Sequence, residues 1–198
     1  AGQLSYRFGA TTNLFVAGAH TWRQFPNLSD RDTSIVEVLS GVDGNVTPLI
    51  RGRLGLGYIS ANFKSPAIET RAGLAVDVRM DFLVTDLTTV RLTARRDFRN
   101  VATVNSSAAF ASSVRAGLDH ELFRNVIVSP GLTYEEADYV DDERKADLIS
   151  AELGARWLIN PRLRASAMVQ HRNRNVTGFE NDRNFSDISV SAGLTFQL

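Results

Sequence analysis

The sequence contains no cysteine. Disulfide frameworks and thiolate metal sites are therefore excluded, and the redox compartment stays open. No apolar run approaches the roughly 20 residues that a membrane-spanning helix needs. There is no signal-peptide-like start, so an exported form would be a mature or trimmed chain. No charge of one sign dominates: 22 basic and 22 acidic residues leave a formal net charge of zero, and bulk attraction to nucleic acid is not expected. Lysine is nearly missing. Lys64 and Lys145 are the only two, so the other 20 of the 22 basic residues are arginine. The planar guanidinium fork pairs carboxylates bidentately, so this bias points to ordered ladders of paired charge. A GC-rich genome is the alternative source.

The 198 residues suffice for one domain with a real core or one mid-sized barrel. A hydrophobic content of 43% and a mean hydropathy of −0.12 look like those of a soluble protein. They also suit a membrane barrel, in which only alternate strand residues meet lipid. The pattern that fills the chain has period two. Residues 70–82 set Ala72, Leu74, Val76, Val78, Met80 and Phe82 against Arg71, Gly73, Ala75, Asp77, Arg79 and Asp81. Successive strand side chains point to opposite faces, so this is a strand with one apolar and one polar side. Similar segments fall at residues 3–9, 14–25, 34–45, 49–63, 89–99, 107–123, 126–139, 146–159, 162–174 and 186–198. In residues 14–25 the faces are ambiguous, and Leu14, Val16 and Trp22 are taken as the apolar side. Residues 34–45 are the weaker case. Pro130 is expected only at a bulge or a sheet edge, because it cannot donate to a ladder. Arg96 interrupts an apolar face near a strand end, where its long side chain can snorkel. No helical period competes.

Strand and loop lengths select among the all-β folds. Globular strands are mostly about 5–6 residues long, whereas these suit tilted spans of about 9–11 residues with overhang. Short connections (10–13, 46–48, 83–87, 124–125, 160–161) alternate with longer polar ones (26–32, 64–69, 100–106, 140–145, 175–184). Short turns on one rim and long loops on the other are the outer-membrane arrangement, with the short turns periplasmic. The expected fold is an all-β, antiparallel, up-and-down transmembrane β-barrel of about 11 strands (10 to 12). A soluble antiparallel barrel or sandwich is the alternative. Bacterial single-chain barrels have even strand numbers. Either one weak strand near the start is miscounted, or residues 1–198, read as a single barrel domain, are the C-terminal part of a larger barrel whose N-terminal part is missing.

The polar face supplies the candidate pore lining: Arg51, Arg53, Arg71, Asp77, Arg79, Asp81, Arg91, Arg95, Asp97, Arg99, Arg115, Asp119, Glu121, Glu152, Arg156, Arg164, Arg172 and Arg174. Half-buried charges persist when paired, and opposite charges on neighbouring strands can form cross-strand pairs. In a narrow barrel they would plug the lumen. In a wide one they would line water, and surplus arginine would favour anions. Trp22, Tyr58, Phe82, Phe98, Tyr134 and Trp157 are candidates for aromatic girdles at the membrane interfaces. The last strand resembles the C-terminal assembly signal of bacterial outer-membrane barrels in Ser191, Gly193, Phe196 and the terminal Leu198, although Phe or Trp is commoner at the end. That likeness implies the barrel-assembly machinery as a partner.

Catalytic signatures are weak. His20 and His120 fall on expected lipid-side positions and His171 near the outer rim. None is followed two residues on by serine, the spacing of outer-membrane phospholipases. A rim protease would need Asp138, Asp141, Asp142 and His171 brought together. The acidic run Asp141-Asp142-Glu143 reads as solvated rather than as a Ca²⁺ site. No phosphate loop, metal spacing or nucleophile elbow is found, so no enzyme, metal or cofactor is expected.

Five segments then resemble one family. They are RGRLGLGYISANF (51–63), LVTDLTTVRLTARRDF (83–98), HELFRNVIVSPGLTYEEADY (120–139), ARWLINPRLRASAMVQHRNRN (155–175) and the closing strand. All are similar to the putative β-barrel porin 2 family of bacterial outer-membrane proteins. The resemblance implies a Gram-negative outer-membrane location and, since several members occur with exopolysaccharide export systems, a conduit for sugar polymer and export-system proteins as partners. The function expected is a passive pore or export conduit. The alternative is a structural or surface-interaction barrel with a charge-plugged lumen and no transport.

Overall fold

The computed structural model describes residues 1–24, 32–66, 68–100, 108–140, 144–178 and 184–197. Among these residues eleven strands are formed: β1 Gly2–Arg7, β2 Thr12–Arg23, β3 Thr33–Thr47, β4 Ile50–Phe63, β5 Arg71–Thr85, β6 Thr88–Asn100, β7 Ala108–Phe123, β8 Val126–Tyr139, β9 Lys145–Asn160, β10 Leu163–Thr177 and β11 Phe185–Phe196. Each pairs antiparallel with the next in chain order, giving one up-and-down sheet with β1 and β11 at its edges. The order follows from the connections. A two-residue turn can only return a strand beside its predecessor, and Pro48-Leu49, Asp86-Leu87, Arg124-Asn125 and Pro161-Arg162 are such turns. Side chains fasten three of them. Thr47 Oγ1 accepts from Leu49 N at 3.3 Å and Thr85 Oγ1 from Leu87 N at 3.2 Å, while Asn160 Oδ1 accepts from both Arg162 N and Leu163 N at 2.9 Å.

Several strands run further than hydropathy indicates. Val46 and Thr47 extend β3, 83–85 extend β5, and 175–177 extend β10. These ends are polar or mixed, but backbone pairing asks only for a free N–H and C=O, so ladders outrun the alternation. Pro130 is a second correction. It lies at neither an edge nor a shifted register: it faces Leu153 of β9, and the β7–β8 pairing resumes after it in unchanged register, Gly117 opposite Gly131 and His120 opposite Val128. The ladder omits only the pairs beside the missing N–H.

The register carries one polar row through every strand: Arg7, Asn13, Asp43, Arg53, Arg79, Thr93, Arg115, Thr133, Ser150, Arg172 and Asp187 are successive cross-strand partners. Partners directly opposite share a face, so this row defines one side of the whole sheet. That side is concave. Gln3 Oε1 on β1 accepts from Arg53 Nη1 on β4 at 3.1 Å, although three strand spacings on a flat sheet amount to roughly 14 Å. The row also slants. Arg7 is the last residue of β1, whereas Asp187 stands nine residues before Phe196, the last of β11. At about 3.3 Å per residue the row climbs roughly 30 Å over ten strand spacings, a strand tilt of about 32°, near the range found in barrels.

The convex side is apolar and open. Tyr58 (57% exposed), Leu74 (52%), Leu132 (55%), Leu153 (54%) and Val190 (74%) belong to a belt with exposed apolar residues on every strand but β6, whose Val90 and Leu92 are half-buried. A soluble surface rarely carries so large an apolar patch. A lipid-facing surface must. Trp22, Tyr58, Tyr134 and Trp157 stand exposed in this belt. Phe98 does not. It is 5% exposed, packed edge-to-face on Phe110 at 4.7 Å with Phe63 at 5.9 Å. It belongs to a buried cluster with Phe15, Ile35, Leu39, Ile59, Ala61 and Ala75, which the expected girdle role did not anticipate. Arg96 leans over the Phe110 ring at 5.4 Å.

Candidate pore lining

The concave face is built from the register upward. Arg51 and Arg53 on β4 share a side with the oddly numbered residues of β5, β6 and β7, and β9 and β10 enter the same side through their even positions. All 18 expected lining residues therefore lie on one face by alternation.

Their charges are arranged in chains that cross strands. Asp81 of β5 takes Arg51 of β4 at 3.2 Å and Arg91 of β6 at 3.8 Å, and Arg91 also reaches Asp119 of β7, which accepts from Ser129 Oγ of β8 at 2.7 Å. One polar track thus crosses five strands. A second runs from Asp43 through Arg53 (3.5 Å) to Asp77 (3.2 Å) and Arg79 (3.2 Å). The Arg53 guanidinium also lies over the Phe15 ring at 3.5 Å, a cation–π contact that Gly55 leaves room for: a Cβ there would meet Phe15 Cζ at 3.0 Å. A third chain joins Arg95 (2.7 Å) and Arg99 (3.1 Å) to Asp97, with Glu135 at 3.9 Å from Arg99. Arg172 and Asp187 form a bidentate pair.

Two ion pairs skip a strand, Arg99–Glu135 across β7 and Arg115–Glu152 across β8. In the second, Arg115 of β7 binds Glu152 of β9. The strand between contributes Gly131, directly opposite both Gly117 and Glu152. A Cβ on Gly131 would lie 2.8 Å from Glu152 Oε1, so the missing side chain is what lets the carboxylate lie across β8.

Thirteen of the 18 are thereby paired. Arg71, Glu121, Arg156, Arg164 and Arg174 have no ion pair among the described residues. Four of these five are cationic, and Arg156, Arg164 and Arg174 lie on β9 and β10. The face is divided accordingly. From β4 to β7 the charges are mostly neutralised in chains. From β9 to β11 the pairing is sparser: Gly154, Ser166, Ser191 and Gly193 share a groove of about 480 Å³ with the unpaired Arg156 and with Glu152, whose carboxylate is held by Arg115.

Sequence reasoning missed Asp43, Glu135 and Asp187 as partners and the apolar patch of Phe15, Ile35, Leu39 and Ile59 on the concave side. For Asp187 the signal was present, since it alternates with Ile188 in the last strand. Of the assembly residues, Ser191 and Gly193 lie on the concave face, Phe196 closes β11, and Leu198 is outside the described residues, as are Asp141 and Asp142.

The histidines have cross-strand hydroxyl partners that sequence spacing did not reveal. His20 Nε2 lies 2.8 Å from Ser34 Oγ, His171 Nε2 3.0 Å from Ser186 Oγ, and His120 Nδ1 2.9 Å from Thr88 Oγ1. Among the described residues no carboxylate holds the second ring nitrogen of any of the three, the contact that orients a histidine for general-base work.

The sequence model of the family described as Putative beta-barrel porin 2 matches residues 1–198. No curated protein matches the chain. Among solved structures, the outer-membrane channel DcaP of Acinetobacter baumannii is similar with a TM-score of 0.58 at 13% identity, covering 98% of this chain. The chain spans 61% of that channel's length. The NanC porin is similar with a TM-score of 0.52 at 10% identity, covering 99% of this chain and 98% of its own. At these identities the likeness is one of fold.

Proposed function

Because the chain belongs to the putative β-barrel porin 2 family, we propose that this bacterial outer-membrane barrel is a passive conduit whose lumen favours anionic solutes. The cargo we assign is exopolysaccharide in export, as the family resemblance implies, with export-system proteins as partners and the barrel-assembly machinery acting on β11. A single observation supports the anionic preference. The concave face carries a polar residue on every strand, and its charges without an ion pair among the described residues are five arginines (Arg7, Arg71, Arg156, Arg164 and Arg174) against two glutamates (Glu37 and Glu121). Cations fixed along a water-filled path raise the local anion concentration.

A second reading has its own support. Arg115–Glu152, Arg99–Glu135 and Gln3–Arg53 reach past neighbouring strands and occupy space over the concave face. In this reading the charges close the lumen and the loops bind a surface partner. Planar-bilayer conductance of the full chain separates the two. A conduit gives steps of current with a reversal potential on the anion side in a KCl gradient. Absence of channel current excludes it. Loss of exported polymer on deletion, restored by the intact chain, supports the cargo.

A further inference from the structure

At the short-turn rim, four strand ends meet around a groove of about 600 Å³ lined by Arg124, Asn125, Leu158, Asn160, Pro161, Arg162, Leu163, Arg164, Thr195 and Gln197. Three arginines line it, and among the described residues no acidic side chain does. Arg124, Arg162 and Arg164 have no ion pair among the described residues, whereas the same face pairs its Arg51, Arg53, Arg79, Arg91, Arg95 and Arg99. Clustered cations repel, so a site with three and no acid is one that a bound anion would stabilise.

The groove is held in shape by backbone. Leu158 N donates to Asn125 O at 2.8 Å, tying the end of β9 to the β7–β8 turn. Gln197 N donates to Arg162 O at 2.8 Å, tying the residue after β11 to the β9–β10 turn. Asn160 fixes that turn from inside. The groove opens to the concave side, since Arg164 is opposite Leu158 and Thr195, and Thr195 alternates with Gly193 on the polar face. Two residues along β10 from Arg164 comes Ser166, opposite Arg156, so the rim groove leads into the trough of β9–β11, where Arg156 stands without an ion pair among the described residues and Glu152 is held by Arg115.

We propose that this groove is an oxyanion-binding vestibule at the turn-side mouth, taking the carboxylate or phosphate groups of a solute and passing them to Arg156. The proposal rests on the conduit reading and names its binding step. Guanidinium forks match carboxylate and phosphate geometry, and Leu158 and Leu163 offer apolar surface for the carbon frame of such a solute.

The test uses the full chain in detergent, titrated calorimetrically with citrate and with inorganic phosphate, and the same chain in planar bilayers with citrate added to one side. The variant is Arg162→Gln/Arg164→Gln. The control is Lys64→Gln, which removes a positive charge beside Asp32 at the other rim. Heat-modifiable gel migration verifies that each variant is folded. Binding by the wild type and the control, weakened at least tenfold in the double variant, supports the vestibule, as does current block at lower citrate concentration from the turn side. Equal citrate affinity in wild type and double variant overturns it while leaving conductance, and with it the conduit, intact. Binding without channel current overturns the conduit but keeps the site. Phosphate can also arrive on a lipid headgroup. Arginine-dependent binding to phosphatidylglycerol vesicles over phosphatidylcholine vesicles, with no response to citrate, overturns a solute site in favour of a membrane anchor.

Discussion

Replacing Glu152 by glutamine tests the electrostatics of the concave face most directly. The Glu152 side chain is 15% exposed and its partner Arg115 51%. Amidation removes one negative charge and leaves Arg115 unneutralised beside the β9–β11 trough. For an ion passing about 6 Å away in water, one unit charge is worth about 0.7 kcal/mol unscreened and about 0.4 kcal/mol at 0.1 M salt. That favours an anion and disfavours a cation by about twofold each, so the chloride-to-potassium permeability ratio rises about three- to fourfold at 0.1 M and less than about 1.5-fold at 1 M, where the Debye length is about 3 Å. The assay is the reversal potential in a KCl gradient at both concentrations. The stability cost is about 1 kcal/mol, because the arginine end of the pair is half in solvent. Gly131→Ala separates charge from geometry. Its Cβ would fall 2.8 Å from Glu152 Oε1, displacing the carboxylate without altering net charge. It is expected to lower stability with little change in selectivity. If Glu152→Gln leaves the 0.1 M ratio unchanged, or moves it toward potassium, permeating ions do not sense this face and the reasoning fails.

Other outcomes follow from the same geometry. Leu56→Arg, placed mid-β4 on the convex belt, costs about 2–4 kcal/mol if that belt meets lipid; it should abolish heat-modifiable migration, whereas Thr93→Arg on the concave face should assemble normally. Arg53→Ala removes contacts to Asp43, Asp77 and the Phe15 ring, and a loss of about 2 kcal/mol is expected as a lower urea midpoint in detergent. Phe98→Ala should cost about 3 kcal/mol by opening a cavity among Phe63, Phe110 and their neighbours; a change below 1 kcal/mol would place Phe98 in the lipid belt after all. Phe196→Ala, at the end of β11, should lower the outer-membrane level several-fold without altering the unitary conductance of the molecules that do assemble.

How much of this was legible depended on whether a residue's role was local. The β5 alternation from Ala72 to Phe82 assigned both faces correctly, because a strand's faces are set by its own period. Turns such as Arg124-Asn125 were equally visible. β3 was weaker: Gly41 and Gly44 dilute its hydropathy, so Ile35 and Leu39 could not be assigned to the concave side, and neither could Asp43. Pairing was least legible. That Arg115 binds Glu152 depends on the β7–β8 and β8–β9 registers together and on a glycine between them. Phe98 shares the outward positions of β6 with the apolar Val90, Leu92 and Ala94, and only its packing on Phe110 and Phe63 shows it buried.

In the conduit proposed above, the slant of the polar row would give passage a handedness. Because the row rises by roughly the thickness of a bilayer's hydrocarbon core between β1 and β11, its charges do not meet at one height. A small ion descending the axis encounters no single ring that must be desolvated at once, so no one barrier dominates its passage. A long flexible polymer encounters something else. Polar side chains, arginine at five of the eleven positions, would reach it one after another along a spiral, like the thread of a nut around a bolt. It can release one contact while holding the next, and it advances most easily if it turns as it moves.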